Sequence, residues 1–155
     1  MNLEERSLLI DRYEQGHAAV LDALAGIGDD EWAAREAPGE WSVREIVHHL
    51  GDSEMAAAFN LRLMLAQDNP VLQGYDHVAF ARNLHQGLPI AGSMAAFAGA
   101  RAATLPLLRT MTDADWQRPG TFRDGESHDP TIWISWYGGH AHDHADQIRR
   151  ARAAR

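Results

Sequence analysis

The sequence predicts an all-α protein built as a four-helix bundle, with a short extra helix and a small loop or hairpin before the last helix. Four long stretches repeat their apolar residues at intervals of three and four, the period of a helix that buries one face. The sequence also contains a weak internal repeat: the first helical stretch ends at Gly28–Trp32, and the third ends at Thr112–Trp116. Each of these segments is followed by a loop with glycine or proline and then by a helix that contains histidine. Two such helix pairs favour a bundle, in which metal sites are commonly built from facing helices.

The first two helices are predicted from their apolar stripes and their ends. The first stripe begins at Leu9 and ends at Ile27, where glycines and aspartates follow. The second helix is expected from Val43 to about Gln67. Ser42 and Glu45 have the S-x-x-E spacing of a capping box, which marks the start of this helix.

The middle of the chain carries a weaker pattern and then a third long helix. One short helix is expected from Asp76 to Leu84. The third long helix is expected from about Ser93 to Met111 and is rich in alanine. Pro106 lies inside it, and a proline within a helix removes one hydrogen bond, so we expect a kink there.

The last helix follows a loop. Pro119–His128 has the composition of a loop, with a possible tight hairpin at Asp124 and Gly125. Asp129 then suits the N-cap position, and the last helix is expected from Pro130 to about Ala153.

Two adjacent glycines, Gly138 and Gly139, lie in the middle of this last helix. A glycine inside a helix costs about 1 kcal/mol relative to alanine, so another interaction must offset the cost. Close approach of a neighbouring helix or of a ligand is one explanation, and tight core packing is the other.

Length and composition restrict the class of protein. The chain has 155 residues, 45% of them hydrophobic, which predicts a single domain over 1–155. It lacks an apolar run long enough for a membrane span, and its opening residues are charged where a secretory signal would be apolar, so we expect a cytoplasmic protein without membrane contact. The net charge of -8 opposes binding to nucleic acid. Because cysteine is absent, any metal must be held by nitrogen and oxygen ligands.

Nine histidines are many for this length, and two groups of them are placed as metal ligands would be. His140 and His144 are spaced so that both lie on one face of the last helix, one turn apart. His48 and His49 lie near the middle of the second helix. From spacing alone the alternatives stay open, because a lone histidine on an apolar face is more often a hydrogen-bonded core residue, and the pair also suits a solvated surface.

Two motifs closely resemble the DinB/YfiT-like superfamily: GEWSVREIVHHLGDSE at 39–54 and YGGHAHDHADQI at 137–148. The resemblance implies a four-helix bundle, often a homodimer, that holds one divalent metal ion. In that family the ligands are one histidine of the second helix and a His-x-x-x-His pair of the last helix. They fall here on His49, His140 and His144. His49 is preferred because it directly precedes the family's Leu-x-Asp stretch, and His48 remains the alternative.

The resemblance also implies a chemistry. The expected function is a metal-dependent enzyme with a stress or detoxification role, either a hydrolase or a transferase that uses a low-molecular-weight thiol on a small-molecule substrate. Zinc and nickel both suit imidazole ligands, and the affinity order does not choose between them. A non-catalytic bundle that binds a metal or a small ligand is the alternative.

Further residues near the two motifs are candidates for supporting roles. Asp52 and Asp143 could each orient a ligand imidazole through its second nitrogen, although surface acids in water are the commoner case. Four aromatic residues could line a pocket for an apolar substrate, although such residues more often form a bundle core: Trp41, Trp133, Trp136 and Tyr137.

Overall fold

The structure is a computed structural model that describes residues 1–154, so Arg155 of the predicted domain lies outside it. Within this range the chain forms five α-helices, two short 3-10 turns and one small hairpin, which confirms the predicted all-α class and the four-helix bundle. In order they are α1 (Leu3–Leu24), a turn (Asp29–Ala33), α2 (Val43–Ala66), α3 (His77–Asn83), α4 (Ala91–Thr110), a turn (Asp115–Gln117), β1 (Gly120–Thr121), β2 (Ser127–His128) and α5 (Pro130–Ala153). None of the helices in this range has both the length and the apolar character of a membrane span.

Local capping signals fix where the helices start. The capping box of α2 forms as predicted: the Oγ atom of Ser42 accepts from the backbone N–H of Glu45 at 3.3 Å, and the Glu45 carboxylate accepts from the backbone N–H of Ser42 at 2.7 Å. At the start of α5, the Asp129 carboxylate accepts from the backbone N–H of Ile132 at 2.8 Å. Both helix starts therefore lie at the predicted residues.

Two helices begin earlier than their apolar patterns indicated. α1 begins at Leu3 rather than near Leu9, because Asn2 and Glu5 form another capping box ahead of the apolar stripe. α4 begins at Ala91 and continues through Pro106 to Thr110.

The predicted hairpin is present. Gly120 pairs with His128 and Thr121 with Ser127, and Gly125 takes a φ of +95° in the turn, a conformation that favours glycine. The segment after α2 joins this hairpin, since the backbone N–H of Leu72 donates to the carbonyl of Thr121 at 2.9 Å. Leu72 is thereby held close to the start of α5.

Helices approach closely where glycines remove side-chain bulk. In the bundle, α1 lies along α5, and α2 packs against α4 and α5. A Cβ atom on Gly138 would lie 3.1 Å from the carbonyl oxygen of Leu9, and one on Gly51 would lie 2.8 Å from the carbonyl oxygen of Ser93. Gly138 thus permits the contact between α1 and α5. A Cβ atom on Gly139 would meet only ordinary contacts.

A buried polar network that the sequence analysis did not identify links three helices. The Arg101 guanidinium of α4 donates to the Glu54 carboxylate of α2 at 2.8 Å, and their side chains are 5% and 0% exposed. Tyr13 of α1 donates its hydroxyl to Glu54, and Arg101 also donates to the carbonyl of Tyr13. Burial raises the pKa of Glu54, and the Arg101 charge opposes that rise. The network ties α1, α2 and α4 together through directional bonds.

Candidate metal centre

Three histidines meet between α2 and α5. His49 lies in the middle of α2, and His140 and His144 lie one turn apart on α5. The Nε2 atom of His140 is 3.3 Å from Nε2 of His49 and 3.2 Å from Nε2 of His144. The potential ligand atoms of the three residues all lie within 4.8 Å of one another. The fold thus brings together side chains that are 91 positions apart in sequence.

The spacing of these nitrogens suits a single ion. Zinc–imidazole bonds are about 2.0–2.1 Å long, so tetrahedral geometry separates two ligand nitrogens by about 3.3–3.4 Å. The two distances to Nε2 of His140, 3.2 and 3.3 Å, match that separation, and the third pair of ligand atoms lies within 4.8 Å. Three protein ligands also leave one position open on a four-coordinate ion, which is typical of catalytic zinc, whereas structural zinc has four protein ligands.

A glutamine fixes the tautomer of one ligand. The Nδ1–H group of His144 donates to the side-chain oxygen of Gln147 at 2.8 Å, so Nε2 of His144 presents its lone pair to the cluster. Such partners of the second imidazole nitrogen orient metal ligands. The Nδ1 atom of His140 is buried without a hydrogen-bond partner in residues 1–154.

Burial keeps the three imidazoles neutral. Loss of solvation, followed by the repulsion that protonated His144 and His140 would exert, lowers the pKa of His49 to about 2. Loss of solvation and the charge of His144 lower the pKa of His140 to about 3, and loss of solvation also lowers the pKa of His144. Neutral imidazole is the form that binds a metal ion, so the cluster is ready to bind a cation over a wide range of pH.

Two aromatic rings flank the cluster. The ring centroid of Trp41 lies 4.6 Å from that of His49 and 6.2 Å from that of His144. His77 is the exposed first residue of α3, and its ring centroid lies 5.9 Å from that of Trp41 and 6.1 Å from that of His49. The sequence analysis did not identify His77 or Gln147. Gln147 could have been found because it lies one turn after His144, whereas no spacing in the sequence marks His77.

His48, the alternative ligand, faces another part of the bundle. Its Nδ1 atom lies 2.8 Å from the Oγ atom of Ser93 on α4, and its ring stacks on His85 at 4.3 Å with an angle of 1° between the planes. The structure therefore brings His49, and not its neighbour, to the histidine pair of α5.

The two acids expected to orient the ligands have other partners in the structure. Asp52 is 10% exposed and accepts a hydrogen bond from Nε2 of His85 at 2.7 Å, because the loop after α3 places His85 beside α2. Asp143 is 77% exposed and faces Arg12 at 3.8 Å. Gln147 accepts the hydrogen bond from Nδ1 of His144, the role for which Asp143 was a candidate.

Three of the four candidate pocket aromatics line one cavity of about 80 Å³: Trp133, Trp136 and Tyr137. Trp133 is 5% exposed and donates its indole N–H to the carbonyl of Ala57 at 2.9 Å, so it also belongs to the core. Trp136 is 63% exposed at the edge of the cavity. Trp41 lies elsewhere, against the histidine cluster.

Known proteins share this sequence pattern. The pattern of the DinB superfamily matches residues 12–148. An Oceanobacillus iheyensis protein named "putative metal-dependent hydrolase" is 34% identical over 107 residues, which are 66% of this chain and 61% of that protein. A Geobacillus thermodenitrificans protein with the same description is 30% identical over 139 residues, which are 86% of this chain and 76% of that protein. This chain thus spans less than two thirds of the first relative.

A solved structure shares the fold. YfiT from Bacillus subtilis, described as "a probable metal-dependent hydrolase with an unusual four-helix bundle topology", matches with a TM-score of 0.88 and 27% sequence identity. The match covers 96% of this chain and 86% of that chain. The homodimer expected from the resemblance stays a prediction, as does the extent of the single domain.

Proposed function

Because the chain belongs to the DinB superfamily, we propose that it is a metal-dependent enzyme acting on a small electrophilic substrate at His49, His140 and His144. The observation that carries the proposal is the convergence of three Nε2 atoms from two helices at distances that suit one ion. Hydrolysis is the reaction class best supported, since relatives of this chain are named metal-dependent hydrolases.

The side chains around the cluster prepare it for an ion. A divalent ion held by His49, His140 and His144 would supply Lewis-acid chemistry. Gln147 holds His144 in the tautomer that offers its Nε2 lone pair. The Trp41 ring packs beside the rings of His49 and His144. Zinc or nickel is the proposed ion, because both suit nitrogen ligands.

A thiol-dependent transferase is the second candidate, and one observation favours it. In residues 1–154 the group of potential ligands contains three imidazoles and no carboxylate, and both nearby aspartates face other partners. A water-activating enzyme usually places a general base beside its metal. A thiol needs less help, because its pKa of about 8.5 falls readily near a metal ion.

Metal analysis of purified protein tests the site. We expect about one equivalent of a divalent metal in the wild type and its loss in His49→Ala, His140→Ala and His144→Ala. His48→Ala is the matched control, because His48 is the next residue on the same helix and faces Ser93. Equal metal content in His49→Ala and wild type would refute the assignment.

Activity assays then separate the two reaction classes and the non-catalytic alternative. A panel of chromogenic esters and amides tests hydrolysis, and a chromogenic electrophile with a set of cellular thiols tests transfer. Turnover that disappears in His49→Ala and persists in His48→Ala would support an enzyme. Metal binding without turnover in either panel would favour a metal- or ligand-binding bundle.

A further inference from the structure

Polar and apolar groups follow one another along the contact between α2 and α5. Ser53 lies one turn after His49 on α2, and Tyr137 lies one turn before His140 on α5. The Oγ atom of Ser53 is 3.4 Å from the hydroxyl of Tyr137, and the Tyr137 ring lies 5.4 Å from the His140 ring. One further turn along each helix are Ala57 and Trp133. The histidines, the hydroxyl groups and the cavity are therefore three successive layers along the contact between α2 and α5.

The middle layer consists of neutral hydroxyl groups. The hydroxyl of Tyr75 also lies close to Ser53. Phenol hydroxyl groups are protonated near neutral pH, because their ordinary pKa is about 10. Hydroxyl groups both donate and accept, so this layer suits the uncharged polar part of a molecule.

The third layer is the aromatic cavity of about 80 Å³. Tyr137 lines it and also contacts His140, so it forms a wall common to the cavity and the histidine cluster. The opposite wall is fixed, because the side chain of Asn60 and the backbone of Gln73 exchange two hydrogen bonds of 2.9 Å that hold the chain beside Leu72. The cavity is therefore preformed.

Its volume limits what it can hold. An apolar cavity of about 150 Å³ admits benzene, which corresponds to about 25 Å³ per carbon. The 80 Å³ here is about half of that volume, which at the same density suits about three carbons and is small for a phenyl ring. With about 1.5 Å of helix rise per residue, Tyr137 and Trp133 lie about 5 and 10 Å along α5 from His140.

We propose that this cavity binds a short aliphatic group of about three carbons on the substrate, whose reactive polar group lies at the histidine cluster. The inference rests on the proposed function and narrows it to substrates with a small aliphatic end rather than an aromatic one. A neutral polar linker beside Tyr137 and Ser53 would connect the two ends.

Straight-chain hydroxamates test the inference, because their head group chelates metal ions and their chain can be lengthened one carbon at a time. Calorimetry on the metal-loaded protein would measure Kd from acetohydroxamate to decanohydroxamate. We expect Kd to fall about fourfold per methylene over about three successive members, once the chain reaches the cavity, and then to stay constant for longer chains. A flat series, or a fall without a plateau, would overturn the inference.

Ala57→Val places two methyl groups into the cavity, and Ala58→Val is its matched control. Both alanines are buried on α2, at 2% and 6% exposure, but only Ala57 lines the cavity. We expect the increase in hydroxamate affinity with chain length to disappear in Ala57→Val and to persist in Ala58→Val. Equal gains in both variants would overturn the inference. Trp136→Ala, at an exposed wall residue, tests the same loss if Ala57→Val does not fold.

A second measurement separates the cavity from the metal. In metal-free protein, n-propanol should shift the methyl NMR signals of Leu72 and Ile132, which line the cavity, and Ala57→Val should abolish those shifts. Absence of shifts in wild type would overturn the inference. Failure of acetohydroxamate to bind the metal-loaded protein would instead count against the proposed function, and the propanol result would still decide the cavity.

Discussion

Acidification of the metal-free protein should expose the cost of burying the histidine cluster. In the folded chain the pKa of His49 is about 2 and that of His140 about 3, whereas an unfolded histidine has a pKa of about 6.5. Between these values the unfolded state binds protons that the folded state does not. The free energy of unfolding is therefore highest above pH 6.5 and decreases as the pH falls from there towards 3.

The size of the loss follows from the distance to the unfolded pKa. At pH 5, about 1.5 units below 6.5, each histidine that must stay neutral costs about 2 kcal/mol at 1.36 kcal/mol per unit. His49 and His140 together then cost about 4 kcal/mol, which is a large part of a typical unfolding free energy of about 5–15 kcal/mol. A bound metal ion should raise the unfolding free energy at both pH values and leave this loss unchanged, because it binds the folded state, in which the imidazoles are already neutral.

Urea unfolding in the presence of a chelator at pH 7.5 and pH 5.0 measures the decrease in the free energy of unfolding. Other buried groups contribute as well, since the pKa values of His17 and His48 are also lowered by burial, so the comparison between variants is the informative quantity. His49→Gln should lose about 2 kcal/mol less than wild type between the two pH values. His142→Gln is the control, because His142 faces away and donates to the carbonyl of Arg12 at 2.9 Å. Equal losses in His49→Gln and wild type would refute the reasoning.

Two further substitutions test the hydrogen bond between Gln147 and His144 and the buried ion pair between Arg101 and Glu54. Gln147→Leu removes the acceptor of the His144 Nδ1–H and should weaken metal affinity about 10–100-fold in a chelator competition, whereas Gln147→Glu keeps an acceptor and should stay near wild type. Arg101→Met leaves the Glu54 carboxylate buried without its ion pair and should lower the urea-unfolding free energy by about 3–5 kcal/mol. An unchanged affinity or an unchanged unfolding free energy would contradict the respective assignment.

Elements that depend on neighbouring residues could be predicted from the sequence. The starts of α2 and α5 follow from Ser42 and Asp129, whose side chains cap their own helices. The start of α1 depended on the same signal at Asn2 and Glu5, but the apolar stripe from Leu9 was the stronger pattern and gave a start that was too late. Local hydrogen bonding, and not the apolar period, sets these boundaries.

The site could be predicted in part for the same reason. His140 and His144 share a helical face, so their proximity is a local property of α5, and the motif around His49 supplied the third position. The partner of Asp52 was not predictable, because His85 comes to it from a loop 33 positions away. His77 reaches the cluster in the same way, through the placement of α3 beside α2.

Directional bonds orient the helices of the cluster without a metal ion. Arg101 joins α4 to Glu54 on α2 and to the Tyr13 carbonyl on α1, and the indole N–H of Trp133 joins α5 to α2 through Ala57. These bonds lie one to two turns from the histidines and fix the rotation of α2 and α5. Since the imidazoles are also neutral before an ion arrives, metal binding requires little change in structure or protonation. We therefore expect chelation of the metal ion to leave the bundle folded.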